Sequence, residues 1–333
     1  MNYLITGGAG FIGSHFLCNI VISHPNDRFV CLDALTYAGN VGNLNTIFHN
    51  NNFFFEKGDI TTAKVVQSVF EKYRPDVVVN FAAESHVDRS IENATRFIQT
   101  NVVGTQVLLD ACLKYGIKRF HQVSTDEVYG SLCDDKQESF TENSILAPTN
   151  PYAASKAAAD LLVLSYYKTH MLPVSISRCS NNYGPNQFPE KLIPKMVMCA
   201  MNDKLLPLYG NGNNVREWIF VEDHCIALEL ILSHGKAGQI YNIGTNDRIS
   251  NLKLVREILK TLRKSDNLIQ FVPDRPGHDK CYSMNWQKIR SELGWMPQTK
   301  FEKGLSLTIS WYKNNPMWLK NILSGEYKNG NSL

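Results

Sequence analysis

Paired cysteines, a strong net charge and long apolar runs are all missing from this sequence. Its eight cysteines include no Cys-x-x-Cys pair, which argues against a zinc site or a thioredoxin-like motif. Lys and Arg number 34 against 31 Asp and Glu, and a net charge of +3 is too small for a typical nucleic-acid-binding protein. No run approaches the roughly 18 apolar residues of a membrane-spanning helix. We therefore expect no metal, no nucleic-acid partner and no membrane partner.

The remaining composition is typical of a globular protein. The 333 residues are 44% hydrophobic and 20% charged, which allows two domains or one large one. The first residues, MNYLITGGAGFIG, have neither a basic start nor a long apolar core, so we expect no signal peptide. A chain of this length favours reduced, mostly buried cysteines in a cytoplasmic enzyme.

Short β-branched runs alternate with helical patterns in the first half of the chain. The predicted strands are Tyr3–Thr6, Phe29–Asp33, Phe53–Lys57, Val77–Phe81, Arg119–Ser124 and Pro173–Arg178. The predicted helices between them span about 11–24, 62–73, 101–116 and 151–170. This alternation predicts an α/β fold with a Rossmann-type, doubly wound parallel sheet.

Prolines and glycines interrupt this pattern from about Asn181 onward. The helices predicted there span about 190–203, 222–234, 250–264 and 303–314. We expect residues 1–180 to form the domain that carries this sheet, to which a later segment near 217–245 returns, and residues 181–333 to form a smaller, mixed α/β lobe. The tail GEYKNGNSL is polar, and we expect it to be loosely held.

A glycine-rich turn joins the first predicted strand to the first helix. Gly7, Gly10 and Gly13 stand where a tight turn, a close approach to a pyrophosphate and close packing of the helix on the strand require glycine. The helix N-terminus supplies N–H groups for the phosphates. Asp33 ends the second strand, where its carboxylate can accept from both ribose hydroxyls and would repel a 2′-phosphate. The pattern predicts a dinucleotide site that favours NAD over NADP.

A tyrosine and a lysine lie four residues apart in a predicted helix. Tyr152 and Lys156 share one helix face, so both can meet the same cofactor. A nearby ammonium group favours the phenolate, so we expect Lys156 to lower the pKa of Tyr152 and make it a base.

Two adjacent carboxylates follow the fifth predicted strand, where parallel sheets bind ligands. A continuing strand would send Asp126 and Glu127 to opposite faces. We therefore expect the strand to end at Thr125, which caps a helical turn that brings both carboxylates to one site. An acid and a base beside an alcohol-oxidising pair indicate a second chemistry, such as elimination of water.

These motifs together resemble the nucleoside-diphosphate-glucose 4,6-dehydratases, a branch of the extended short-chain dehydrogenase/reductase superfamily. The resemblance covers nearly the whole chain and includes FAAESHVDRSI at 81–91, RCSNNYGPNQFPEKLIP at 178–194, VREWIFVEDH at 215–224 and DRPGHD at 274–279. One departure is Lys280-Cys281-Tyr282, where the family commonly has a second arginine.

The resemblance implies an NAD-dependent hydro-lyase that converts dTDP-glucose into dTDP-4-keto-6-deoxyglucose, a precursor of rhamnose and other deoxysugars. It assigns Tyr152 to the proton of the C4 hydroxyl, Lys156 to the phenolate and the nicotinamide ribose, and Thr125 to the C4 oxygen. Glu127 would take the C5 proton, and Asp126 would protonate the departing C6 hydroxyl. This division requires a neutral Asp126 and an ionised Glu127 at the start.

The resemblance also implies two sets of binding residues. The predicted cofactor contacts are Gly7, Gly10, Phe11, Ile12, Gly13, Asp33, Asp59, Ile60, Ala82, Ala83, Thr100, Tyr152, Lys156 and Asn182. The predicted substrate contacts are Ser85, Thr125, Asn181, Lys191, Leu192, Pro207, Tyr209, Arg216, Asn251, Arg275 and His278. We interpret His86 and His224 as structural histidines.

Several alternatives remain open on the same scaffold. A nucleotide-sugar 4-epimerase or decarboxylase would use Tyr152 and Lys156 but would not need Asp126 and Glu127. A non-catalytic NAD-binding regulator would be expected to lack at least one of the five catalytic residues. The substrate nucleotide can be dTDP or UDP. The resemblance also implies a homodimer through a four-helix bundle, with segments 101–116 and 151–170 as candidates.

Overall fold

The computed structural model describes residues 1–132 and 139–329. The strands in this part are β1 Asn2–Thr6, β2 Arg28–Asp33, β3 Phe53–Lys57, β4 Val77–Asn80, β5 Arg119–Thr125, β6 Val174–Cys179, β7 Asn181–Tyr183, β8 Leu206–Tyr209, β9 Val215–Phe220, β10 Gln239–Ile243, β11 Arg248–Ser250 and β12 Ile269–Val272. The α-helices are α1 Phe11–Ser23, α2 Ala63–Tyr73, α3 Val87–Glu92, α4 Ala94–Phe97, α5 Gly104–Tyr115, α6 Pro151–His170, α7 Leu192–Met201, α8 Val221–His234, α9 Asn251–Leu262, α10 Gln287–Leu293, α11 Phe301–Asn314 and α12 Pro316–Ser324.

Seven parallel strands form the central sheet in the order β10-β6-β5-β4-β1-β2-β3. The order reverses between β1 and β4, which places the carboxyl ends of these two strands at a topological switch point. Both faces of the sheet are covered, because successive strand residues alternate between two cores. Leu4 packs in the core beneath α2, α5 and α6, whereas Ile5 packs in the core beneath α1 and α8. The predicted Rossmann-type, doubly wound fold is confirmed.

The second half of the chain adds two small sheets. One has the order β11-β9-β7, and the other pairs β8 with β12. Helices α7, α9 and α11 pack on these strands around a separate apolar core. Strand β10 instead pairs in parallel with β6 at the edge of the large sheet.

The predicted elements of the first half lie close to the observed ones. The segment 101–116 differs, because the helix runs from α4 through a π-helical stretch at Ile98–Val103 before α5 begins at Gly104. The short helices α3 and α10, the helix α12 and most strands after Cys179 were not predicted.

The C-terminal segment corrects one expectation. Tyr327 is only 7% exposed and donates a hydrogen bond from its hydroxyl to the backbone O of Tyr37. The tail is therefore docked up to this point rather than loosely held, because its aromatic side chain is buried. Its last residues, 330–333, lie outside the described residues.

The cysteines and the helices of the described residues bear on disulfide bonding and on membrane spanning. The seven cysteines in the described ranges are free, and Cys133 lies outside the described residues. Within the described ranges, no helix combines the length and apolarity needed to cross a bilayer.

Candidate active site

The glycine turn is built so tightly that larger residues would collide with its neighbours. Gly7 has a φ of +69°, and a Cβ there would lie 2.5 Å from the backbone N of Ala82. A Cβ on Gly13 would lie 2.5 Å from the backbone O of Gly7. Helix α1 begins directly after Gly10, and no side chain caps it. Its first N–H groups are therefore available to an anionic ligand.

Asp33 lies beside this turn at the end of β2. Its Oδ2 accepts from the backbone N of Ala9 at 2.9 Å, and its Oδ1 accepts from the backbone N of Leu35 at 2.8 Å. Each oxygen keeps a second acceptor site, so the carboxylate can still receive ribose hydroxyls. Burial raises the pKa of this carboxyl, although the two backbone hydrogen bonds act in the opposite direction.

One large cavity runs along the carboxyl ends of β1, β2, β4, β5 and β6. It brings together every predicted catalytic residue, every predicted cofactor residue and four predicted substrate residues, of which Thr125 is also a predicted catalytic residue. The predicted residues that line it are Gly7, Gly10, Phe11, Ile12, Gly13, Asp33, Asp59, Ile60, Ala82, Ala83, Ser85, Thr100, Thr125, Asp126, Glu127, Tyr152, Lys156, Asn181, Asn182 and Lys191.

Polar atoms without partners mark this cavity as a binding site. Among the residues that the structure describes, Ser124 Oγ, Ser180 Oγ and Asn181 Oδ1 are buried and have no hydrogen-bond partner. All three residues line the cavity. Buried polar groups rarely lack a hydrogen-bond partner, so these atoms are suited to bind a polar ligand. With the open helix terminus and Asp33, they fit a dinucleotide.

The two adjacent carboxylates reach one site as the sequence predicted. Strand β5 ends at Thr125, and a single 3₁₀ turn over Asp126–Tyr129 follows it. Thr125 Oγ1 caps this turn by accepting from the backbone N of Glu127 at 3.2 Å, and it donates to Asp126 Oδ1 at 3.2 Å. Because the strand stops here, both carboxylates face the same cavity.

The pKa values of the two carboxyl groups are affected by different neighbouring charges. Burial raises the pKa of Asp126 well above its usual range, and the nearby charges of Glu127 and Glu217 add to this effect. Burial also raises the pKa of Glu127, but Arg275 and Arg216 oppose it. These effects favour the protonated form of Asp126, although the hydrogen bond from Thr125 and the charge of Arg216 oppose them. The cations around Glu127 favour its charged form.

The expectation that Lys156 lowers the pKa of Tyr152 is wrong for this structure. Burial raises the pKa of Tyr152 well above its usual value, and the charge of Glu127 adds to the rise. A hydrogen bond with Thr125 opposes the rise only in part. Lys156 is itself buried, which lowers its pKa, and its Nζ donates to the backbone O of Val123 at 2.7 Å. Burial and the nearby carboxylates therefore set the direction of this pKa.

A buried ionic network lies behind the acid–base turn and was missed from the sequence. Arg178 on β6 donates through Nε to Asp160 Oδ2 at 2.9 Å and through NH1 to Tyr129 Oη at 2.9 Å. Asp160 lies one turn after Lys156 on α6, and Tyr129 ends the 3₁₀ turn. Arginine in a strand that is otherwise buried was the available signal, since such a charge requires a partner.

Asn150 is a second site residue that the sequence did not reveal. Its side chain caps α6 by accepting from the backbone N of Ala153 at 2.9 Å, and its Nδ2 donates to Glu127 Oε2 at 3.4 Å. The dipeptide Asn150-Pro151 directly before a helix was the available signal.

The remaining predicted substrate residues lie in the second lobe and do not line this cavity. Arg275 NH1 lies 3.2 Å from Asp88 Oδ1, and Tyr209 Oη donates to Asp88 Oδ2 at 3.3 Å. The Arg216 guanidinium lies 4.4 Å from the ring centre of Tyr282. The other predicted residues in this lobe are Leu192, Pro207, Asn251 and His278. The charges of Arg216 and Arg275 nevertheless reach Glu127, because both oppose the rise in its pKa.

The two histidines interpreted as structural have different surroundings. His224 is fully buried, its Nδ1 lies 2.8 Å from Asn182 Oδ1, and burial lowers its pKa to about 3. His86 Nε2 lies 3.6 Å from Glu190 Oε2. Neither belongs to a metal cluster, since no group of three His, Cys, Asp or Glu side chains in residues 1–132 and 139–329 could hold a metal ion.

Cys281 replaces the arginine common in the resembling family. It lies beside β9 through a bridge to Val215, and its Sγ donates to the backbone O of Tyr282 at 3.8 Å.

Comparisons with known proteins show which family the chain belongs to. The family model described as GDP-mannose 4,6 dehydratase matches residues 4–308. The low-salt glycan biosynthesis protein of Haloferax volcanii is 51% identical over 312 residues, which cover 94% of this chain and 98% of the relative. The dTDP-glucose 4,6-dehydratase of Neisseria meningitidis serogroup B is 46% identical over 345 residues, which cover 98% of this chain and 97% of the relative.

A solved structure shows the same architecture. The dTDP-glucose 4,6-dehydratase of Streptomyces venezuelae, solved with NAD and dTDP bound, superposes with a TM-score of 0.93 and is 46% identical. The superposition covers 97% of this chain and 100% of that one.

Proposed function

Because the chain belongs to the family described by the GDP-mannose 4,6-dehydratase model, we propose that it is an NAD-dependent hydro-lyase acting on dTDP-glucose. It converts dTDP-glucose into dTDP-4-keto-6-deoxyglucose and water. The observation that carries this proposal is the acid–base pair Asp126 and Glu127 at the end of β5, in the same cavity as Tyr152, Lys156 and the glycine turn.

The first step removes a proton from the C4 hydroxyl of the sugar. A bound NAD⁺ would supply the hydride acceptor for C4 and, once reduced, the hydride donor for C6. Tyr152 takes the hydroxyl proton, and Thr125 hydrogen-bonds the C4 oxygen. Because the pKa of Tyr152 is raised in the free chain, this residue becomes a base only when positive charge lies beside it. Lys156 would hold the phenolate once it forms, and the oxidised cofactor, when bound, would add the positive charge that the free chain lacks.

The second step eliminates water between C5 and C6. The C4 ketone acidifies the C5 proton, which Glu127 removes while Asp126 protonates the departing C6 hydroxyl. Burial and the charge of Glu127 favour a protonated Asp126, and Arg275 and Arg216 favour the charged form of Glu127. Finally Glu127 returns a proton to C5. The surroundings of the two carboxyl groups therefore match the order of proton transfers.

The second lobe holds the nucleotide part of the substrate. Arg216 and Arg275 suit a diphosphate, because a guanidinium group can contact two oxygens at once. Lys191 lines the cavity, and its positive charge acts on Glu127 together with the charges of the two arginines. We assign residues 1–180, together with the returning segment near 217–245, to cofactor binding and residues 181–333 otherwise to the nucleotide sugar.

A homodimer is part of this proposal. Helices α5 and α6 lie side by side, and Leu161 on α6 is 58% exposed. Ile98, in the π-helical stretch that leads into α5, is 51% exposed. Pairing these helices with their copies would bury both side chains in a four-helix bundle. Sedimentation of wild type as a dimer and of Leu161→Arg as a monomer is the expected result, and a monomeric wild type would contradict it.

The free cysteines support a cytoplasmic location. All seven cysteines of the described residues are free, and Cys31, Cys112, Cys179 and Cys225 are buried. Reduced thiols are typical of the cytosol.

Two nucleotide sugars separate the candidate functions. The purified chain is incubated with dTDP-glucose and with UDP-glucose without added cofactor, and the products are analysed by mass spectrometry. Loss of one water from dTDP-glucose, with UDP-glucose slow, is the expected result. Preference for UDP-glucose would overturn the nucleotide. A product of unchanged mass from either sugar would support a 4-epimerase instead.

A further inference from the structure

A short C-terminal segment crosses from the second lobe to the cofactor-binding edge of the large sheet. This segment, the C-terminal strap, comprises residues 316–329, which are α12 and a 3₁₀ turn over Glu326–Asn329. Trp318 Nε1 donates to Asn43 Oδ1 at 2.9 Å, and the Tyr327 hydroxyl donates to the backbone O of Tyr37. Both acceptors belong to the segment 34–45, which follows Asp33 directly.

The first of these hydrogen bonds continues into the glycine turn. Asn43 Nδ2 donates to the backbone O of Ala9 at 3.1 Å. The backbone N of Ala9 in turn donates to Asp33 Oδ2 at 2.9 Å. Trp318 is therefore linked through Asn43 and Ala9 to Asp33, the residue expected to bind the ribose.

The second hydrogen bond holds a stretch of chain that lines the same cavity. Thr36, Ala38 and Gly39, the neighbours of Tyr37, line the cavity. The Arg89 guanidinium lies 3.8 Å from the ring centre of Tyr37. Arg89 therefore contacts the ring of Tyr37, and the strap holds its backbone O.

The strap also contacts the segment that carries the substrate lysine. The ring of Phe188 packs edge-on against Tyr37 at 5.7 Å and against Tyr327 at 6.2 Å between centres. Phe188 and Lys191 both line the cavity. The strap therefore joins the segment 34–45 to the segment that carries Phe188 and Lys191.

We propose that the C-terminal strap retains NAD, with Trp318 and Tyr327 as positioning residues that hold the segment 34–45 against the bound cofactor. The inference rests on the proposed function. In that reaction the hydride leaves and returns within one turnover, so the cofactor never needs to be exchanged. A cofactor lost in its reduced form would leave the chain unable to start the next cycle. Slow release is therefore an advantage that the strap supplies.

The test measures how fast bound NAD leaves the protein. Holoprotein is mixed with an excess of isotopically labelled NAD, and exchange is followed by mass spectrometry without any sugar. The variants are Tyr327→Phe, Trp318→Phe and their combination. The matched control is Tyr115→Phe, which also loses one tyrosine hydroxyl bond, to Glu71 at 3.0 Å, but does not line the cavity.

Loss of one hydrogen bond should speed exchange about threefold to tenfold, and the double variant should be faster than either single variant. The unfolding temperature of Tyr327→Phe should equal that of the control. Exchange rates that match the control would overturn the proposal, as would faster exchange in the control itself. Because no sugar is present, a chain that exchanges NAD but does not dehydrate dTDP-glucose would contradict only the proposed function. A chain that binds no NAD would overturn both.

Discussion

Adjacent carboxyl groups can take opposite roles only if their surroundings differ. Burial and the negative charges of Glu127 and Glu217 raise the pKa of Asp126, which favours its protonated form, although Arg216 opposes the rise. Glu127 is also buried, but Arg216, Arg275 and Lys191 oppose the rise in its pKa. The acid and the base are therefore distinguished by the charges that each one faces, and a sequence shows only that two carboxylates are neighbours.

Glu127→Gln tests this division of roles. Loss of the base should slow product formation by about 10²-fold or more. Oxidation at C4 should survive in part, so NADH absorbance should appear when dTDP-glucose is added. Stopped-flow absorbance and mass spectrometry measure the two steps separately. The exposed Glu71→Gln is the control, and a wild-type turnover rate in Glu127→Gln would show that another group removes the C5 proton.

The buried pair of Arg178 and Asp160 fixes two elements that carry the chemistry. Arg178 ties β6 to α6 through Asp160 and to the 3₁₀ turn through Tyr129. Arg178→Met removes one partner of a buried ion pair and leaves the other charge unpaired. We expect it to lower the free energy of unfolding by about 3–5 kcal/mol.

Urea unfolding of Arg178→Met and of the double variant Arg178→Met/Asp160→Leu measures this effect. The double variant leaves no unpaired charge, so it should be more stable than the single variant. A single variant as stable as wild type would mean that the network does not hold these elements.

The sequence predicted the elements whose patterns are local. The first six strands are apolar runs bounded by polar turns, and the Thr125 cap follows from three adjacent residues. The short helix α3 and the strap were missed, since long-range contacts stabilise them. Tyr327, for example, is held by Tyr37, which lies 290 residues earlier in the chain. The direction of the Tyr152 pKa was missed for a similar reason, because burial and Glu127 determine it.

Two buried histidines make the stability of the folded chain depend on pH. Burial lowers the pKa of both His121 and His224 to about 3. His121 lies 2.9 Å from Ser175 Oγ through Nδ1 and 3.0 Å from Ser177 Oγ through Nε2. An unfolded histidine takes up a proton near pH 6.5, whereas these two remain neutral in the fold. The unfolded chain therefore binds more protons below pH 6.5, and stability falls as the pH falls from 6.5 toward 3.

Each histidine should lower the free energy of unfolding by about 2 kcal/mol at pH 5 relative to pH 7. Urea unfolding at the two pH values should show a loss that is smaller by about this amount in His121→Gln. The exposed His49→Gln is the control and should behave like wild type. An equal loss in His121→Gln and wild type would show that His121 is not the group that couples stability to pH in this range.

The account as a whole requires that the hydride removed from C4 return to C6 of the same sugar while the cofactor stays in place. The most direct test uses dTDP-glucose that carries deuterium at C4, followed by mass spectrometry and NMR of the product. We expect loss of one unlabelled water and deuterium at C6. Deuterium retained at C4, or lost to the medium, would contradict the proposed dehydration.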